Sequence, residues 1–131
     1  MSVAVRYFSK LGNTKKIAEA IAQGAGTAAV SVTDEPELKE RVDVLFLGGA
    51  PYANIMAPEL KAYAEKLSPD KVGKAVLFTT SNWSRRTVYA LRKLLKENGV
   101  TVAEKHFYAH MLHISGRIDA ACEFGKEYAK E

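Results

Sequence analysis

The chain has 131 residues, 47% hydrophobic and 26% charged, which suits one folded domain over 1–131 with its own core. Its net charge of +4 and sequence pI near 9.2 come from Lys and Arg spread along the chain with no basic tract, so nucleic acid is not an expected partner. The single cysteine, Cys122, excludes an internal disulfide, and with no basic leader pattern and no apolar run of bilayer length the expectation is a cytoplasmic protein without membrane insertion.

The first apolar stretch, residues 3–8, reads as a strand and leads into Ser9-Lys10-Leu11-Gly12-Asn13-Thr14. A helix over 14–23 follows, with Ile17, Ala18, Ile21 and Ala22 on one face and Gly24 as its stop. A weaker strand at 28–32 and a polar turn around Asp34 precede a short helix expected over 36–40, where Pro36 suits a first turn. Residues 42–49 are nearly continuously apolar, the pattern of a central parallel strand covered on both faces. A loop over 50–57 then gives way to a helix from Pro58 that carries Leu60, Tyr63, Ala64 and Leu67 and ends at Ser68-Pro69-Asp70.

Residues 75–79 form a further buried strand that runs into Thr80-Ser81-Asn82-Trp83. Ser84 is the expected N-cap of a helix bearing Val88, Leu91 and Leu95, closed by Asn98-Gly99. The last strand starts at 100–102 and is expected to continue through Phe107. A final helix places Ile118, Ala121, Cys122, Gly125 and Ala129 on one face, with Cys122 read as a buried small hydrophobe. Strands that alternate with helices imply an α/β fold: a parallel sheet covered by helices on both faces, with right-handed crossovers.

Hydroxyl, glycine and amide residues between a strand and a helix N-terminus suit an anion, because the first helical N–H groups lack partners and the dipole adds positive charge. Ser9, Asn13 and Thr14 supply polar side chains there, Gly12 a tight turn, and Lys10 or Lys15 formal charge. A plain helix cap stands beside this as the alternative reading of the same residues.

The sequence Tyr7-Phe8-Ser9, two further residues, then Gly12-Asn13-Thr14 resembles the phosphate loop of flavodoxins and related FMN proteins, Ser/Thr-x-Ser/Thr-Gly-x-Thr. Leu11 stands where that family has its middle hydroxyl. Gly48-Gly49-Ala50-Pro51-Tyr52-Ala53-Asn54, followed by Pro58-Glu59-Leu60, resembles the family's Gly-Ser-Pro-x-Tyr-x-Gly region and its Pro-x-x-Leu continuation. In the family this loop packs on the isoalloxazine, and one of its peptides turns to meet flavin N5 in the semiquinone; Ala53-Asn54 is the matching peptide here, with Asn54 partly replacing a glycine. Thr79-Thr80-Ser81-Asn82-Trp83 is similar to the other loop beside the flavin.

The resemblance implies a flavodoxin-like doubly wound sheet of five parallel strands in the order 2-1-3-4-5, a three-layer sandwich whose ligand crevice lies beyond the ends of the first and third strands. It implies FMN as cofactor, with phosphate held by Ser9, Lys10, Leu11, Gly12, Asn13 and Thr14. The ring would be framed by Ala50, Pro51, Tyr52, Ala53 and Asn54 on one side and by Thr79, Thr80, Ser81, Asn82 and Trp83 on the other. Tyr52 suits a stacking contact or packing on the sheet edge; Trp83, the lone tryptophan, suits a flavin-flanking role in a polar loop. The implied activity is that of an electron carrier, with no side chain cast as a catalytic acid or base.

The alternative is a small FMN-dependent NAD(P)H:quinone-type oxidoreductase of the same fold, which the positive charge favours. A signalling receiver would need acidic residues where Phe8-Ser9 and Gly48-Gly49 stand. Redox proteins are the expected partners; Arg85, Arg86, Arg92, Lys93 and Lys96 make one helix basic, which reads either as a solvated surface or as a docking face for an acidic redox partner or for a nicotinamide cofactor phosphate. His106, His110 and His113 include a His-x-x-His pair but no nearby cysteine or carboxylate set, and read as polar loop residues, not metal ligands.

Overall fold

In the computed structural model, which describes residues 2–52, 55–81 and 84–130 (Tyr52 in its backbone only), strands and helices alternate along the chain. They are β1 (Val3–Phe8), α1 (Asn13–Ala25), β2 (Ala29–Ser31), β3 (Val42–Gly49), the two-residue strands β4 (Pro51–Tyr52) and β5 (Ile55–Met56), and α2 (Pro58–Glu65). Then come β6 (Val72–Ser81), α3 (Arg86–Glu97), β7 (Phe107–His110), a single 3-10 turn at Ser115–Arg117 and α4 (Ile118–Ala129).

Five parallel strands form the sheet in the order β2-β1-β3-β6-β7, with Val5 opposite Phe46, Phe46 opposite Val76 and Phe78 opposite Phe107. This is the doubly wound 2-1-3-4-5 arrangement. Alternation along each strand divides the core in two. Val5, Val44, Phe46, Val76 and Phe78 meet Ile17 and Ile21 of α1 and Ala121 of α4. Phe8, Leu45, Leu47 and Leu77 meet Leu60 and Tyr63 of α2 and Val88, Leu91 and Leu95 of α3. No helix among the described residues is long and apolar enough to cross a membrane.

Several local expectations are corrected. No helix forms over 36–40, which is irregular; the expected polar turn precedes it, with Asp34 and Glu35 N–H both donating to the Ser31 carbonyl at 3.0 and 3.1 Å. The carbonyls of Pro36 and Lys39 receive Lys66 Nζ and Lys71 Nζ at 3.4 and 3.3 Å, while Leu38 plugs into the core. The loop over 50–57 contains the antiparallel pair β4–β5, in which Pro51 faces Met56. The fourth sheet strand is longer than expected at both ends, because β3 pairs with it from Val72 to Phe78 and β7 from Phe78 to Ser81. The fifth touches the sheet at Val102 opposite Ala75, departs, and returns at Phe107.

Gly24 does not end α1. The helix runs to Ala25 and closes at Gly26, whose φ of 78° lets Thr27 N–H reach the Ala22 carbonyl at 3.0 Å. Gly24 instead lies against α4: a Cβ there would sit 1.9 Å from the Cys122 carbonyl oxygen. Gly125 repeats the arrangement, its missing Cβ falling 2.1 Å from the Ile21 carbonyl oxygen. With the two backbones this close, the Cys122 side chain sits at the margin of the contact and is partly exposed, not buried.

Candidate functional site

Because β1 is flanked by β2 on one side and β3 on the other, the connections leaving them diverge to opposite faces, and a crevice opens at their C-terminal ends. A cleft of about 260 Å³ occupies that place. The segment after β1 contributes Ser9, Leu11, Asn13 and Thr14; the one after β3, Ala50 and Pro51; and β6, Thr80 and Ser81. Three stretches that are far apart in sequence thus converge on one hollow.

The local geometry explains how each stretch is held. Ser9 Oγ accepts the Gly12 N–H at 3.0 Å, and Gly12, at φ 95°, makes the turn into α1. Among the described residues no side chain caps α1, so its first N–H groups face an anion site of the kind a phosphate cradle requires. Thr14, fully buried, spends its hydroxyl on Thr80 across the cleft floor, with 2.7 Å between the oxygens. Gly48 admits β6 closely: a Cβ there would lie 2.3 Å from the Phe78 carbonyl oxygen.

The remaining wall is built from the end of β6. The Ser81 carbonyl accepts both the Tyr108 hydroxyl and the Met111 N–H at 3.0 Å, and Ser81 Oγ donates to the Ser84 carbonyl. Ser84 does not cap α3 from the N-cap position, which Arg85 occupies, but its Oγ accepts the Arg86 N–H at 3.3 Å. Arg85 lies over the Tyr108 ring at 4.0 Å. His106 is nearby in this layer, and its pKa is lowered by burial first and then by the positive charges of Arg85 and Arg92.

Not every expected residue lines the cleft. Thr79 points to the opposite face of the sheet, fully buried, and donates to the Gly49 carbonyl at 2.6 Å; its role in the structure is to tie the ends of β3 and β6 together. Lys10 is exposed, and Gly12 shapes the loop from behind. Ala53, Asn54, Asn82 and Trp83, and the side chain of Tyr52, lie outside the described residues. Ser84 and Met111 line the cleft without having been expected there. Only the return of β7 beside β6 brings Met111 in, and local sequence carries no sign of that. His110 and His113 stack at 5.3 Å between ring centres, and His110 Nδ1 accepts the Leu112 N–H at 3.1 Å. Among the described residues no cluster of three or more His, Cys, Asp or Glu could hold a metal ion.

Solved structures with the same arrangement identify the architecture. An archaeal flavodoxin superposes with a TM-score of 0.82 at 19% identity, covering 99% of this chain and 97% of its own. The chain has the flavodoxin fold. A flavodoxin, WrbA-like protein from Agrobacterium tumefaciens gives a TM-score of 0.76 at 20% identity over 98% of this chain and 96% of that one. A Fusobacterium nucleatum flavodoxin bound to flavin mononucleotide gives 0.68 at 14% identity over 98% and 99%. No family model and no curated protein matches the sequence.

Proposed function

We propose that the cleft binds FMN and that the chain works as an electron carrier. The observation that carries this reading is the convergence of the uncapped start of α1 with the ends of β3 and β6 on one largely apolar hollow at the sheet's switch point. FMN, when bound, supplies reversible one- and two-electron chemistry. In this reading Ser9, Asn13 and the first N–H groups of α1 hold the phosphate, and Gly12 keeps the loop in register. Leu11 would shield the phosphate from water where a hydroxyl is missing. Ala50 and Pro51 would form one side of the ring pocket and Thr80 and Ser81 the other, while Tyr52, Ala53, Asn54, Asn82 and Trp83 are assigned to the ring by the flavodoxin resemblance alone.

The donor set fits an anion bound through hydroxyls and amides more than through salt bridges. The segments 9–12, 50–57, 82–85 and 111–117 contain no Asp or Glu, so nothing of like charge opposes a phosphate there. The same lack of acid supports the second reading, a small FMN-dependent NAD(P)H:quinone-type oxidoreductase, since a dinucleotide also brings negative charge. A cytoplasmic setting accompanies either reading.

A titration of the flavin-free chain with FMN tests the reading. Tight uptake with quenched flavin fluorescence, followed by slow reaction with NADPH, is the expected result for a carrier. Rapid bleaching by NADPH with turnover of a quinone would replace the carrier by the reductase. An unchanged flavin spectrum at high protein concentration sinks both.

A further inference from the structure

All the large apolar side chains that are exposed among the described residues stand at the same end of the molecule as the cleft. They are Leu11 (79% exposed), Leu112 (77%), Ile55 (62%), Tyr89 (61%) and Met111 (37%). Leu11 follows β1, Ile55 lies in the hairpin after β3, Tyr89 is in the first turn of α3, and Met111 and Leu112 follow β7. In a parallel sheet with helical returns, all of these positions lie at the C-terminal edge. Scattered surface apolar residues need no explanation, but five at one end, with Leu11 and Met111 lining the cleft and Ile55 and Tyr89 a second groove, mark a surface that a partner covers.

Charge singles out the kind of partner. Helix α3 carries Arg86, Arg92, Lys93 and Lys96 against one acid, Glu97. On the opposite face α4 carries Asp119, Glu123 and Glu127 against Lys126. Helix α3 is therefore the most basic of the four helices, and its first turn, with Arg86, stands beside the exposed Tyr89 and Ile55. The two features meet in a groove between β5 and α3, where Ile55 and Met56 face Arg86, Tyr89 and Ala90. One hairpin separates this groove from the cleft: Pro51, which lines the cleft, pairs with Met56, which lines the groove.

We infer that this edge is a docking face for an acidic redox protein, with the exposed apolar side chains at the centre of the contact and α3 as its charged flank. The inference rests on the FMN reading, because it gives the partner a reason to approach this edge. Acidic groups would be steered to α3, while Leu112, Ile55 and Tyr89 supply apolar burial short of the cofactor. Each encounter moves a single electron: the partner's centre is oxidised by one electron and the flavin reduced by one, with its proton taken from solvent and no other bond made or broken.

The test uses a plant-type [2Fe–2S] ferredoxin as acidic donor and cytochrome c as basic comparison. Stopped-flow rates with the reduced ferredoxin should fall steeply as salt is raised, and Lys93→Glu should lower them about tenfold at low salt. Leu112→Ser should lower them at all salt concentrations, and Lys126→Glu on α4 should leave them unchanged. Amide shift mapping of the 15N-labelled, flavin-free chain with the same ferredoxin should perturb residues 86–96 and 111–112 but not α4. Those shifts in a chain that takes up no FMN would refute the cofactor reading and keep the docking face. Normal FMN uptake with salt-independent rates, with cytochrome c the faster partner, or with shifts spread over α4, overturns the docking face. Shifts on α3 caused by NADPH and not by ferredoxin also overturn it, and assign the face to a dinucleotide.

Discussion

The two helical layers solve the same packing problem in opposite ways. Helices α1 and α4 meet backbone to backbone through Gly24 and Gly125, with no room for a single added carbon at either. Helices α2 and α3 share the apolar core beneath them through Leu60, Tyr63, Val88 and Leu91, and are hydrogen-bonded at one end, where Asn98 Nδ2 donates to the carbonyls of Leu67 and Ala64 at 3.1 and 3.4 Å. Towards the cleft they leave an open groove bordered by Ile55, Met56, Lys61, Ala90 and Leu94. The sealed layer buries its facing surfaces; the open one leaves side chains exposed along a groove. A close helix contact excludes water along its whole length, so it has no surface to offer.

The strongest way to break this comparison is to place a methyl group in the sealed layer. Gly125→Ala should cost about 3 kcal/mol, because its Cβ meets the backbone carbonyl of Ile21, which no rotamer change can move. Urea denaturation measures it, and a loss no larger than that of an exposed helix substitution would show that α1 and α4 separate easily. Gly24→Ala should behave alike, against the Cys122 carbonyl.

A smaller effect is expected at the junction of α1 and the cleft. Thr14→Val should cost about 2 kcal/mol by leaving the buried Thr80 hydroxyl without its partner. Adding Thr80→Val should restore much of that loss, since both polar groups are then gone. Additive losses in this double-mutant cycle would deny the coupling of α1 to β6.

The smallest effect belongs to the open layer. The Tyr63 hydroxyl is buried with no hydrogen bond of normal geometry among the described residues, and burial pushes its pKa up to about 12 against the opposing pull of the Arg6 guanidinium beside it. Tyr63→Phe should therefore change stability by less than about 0.5 kcal/mol, or raise it slightly. A loss of several times that would reveal a hydroxyl contact that holds α2 to the sheet.

Much of the fold was legible before the structure. The nearly continuous apolar run at 42–49 became β3 with the same ends, because a strand covered on both faces is apolar along its buried length, and Asp43 falls at the partly exposed start. Ser9, Leu11, Asn13, Thr14, Ala50, Pro51, Thr80 and Ser81 were expected around one site, and the fold brings them to one cleft. Strand ends, unlike strand centres, depend on neighbours: β6 reaches Ser81 because β7 pairs with it there, and the stretch 36–40, where a short helix was expected, is irregular chain held by Lys66 and Lys71 and by burial of Leu38.

What the amino-acid sequence determined by itself was the alternation of elements, which faces are apolar, and the chemistry of the loops, since these follow from period, propensity and residue type. Only the tertiary structure decided that Gly24 is a contact and Gly26 the stop, that Thr79 faces away from the cleft while Thr80 floors it, and that Met111 joins the wall. A glycine looks the same in sequence whether it ends a helix or admits a neighbour. The difference lies in what stands opposite it, and that is set by chain segments a hundred residues away.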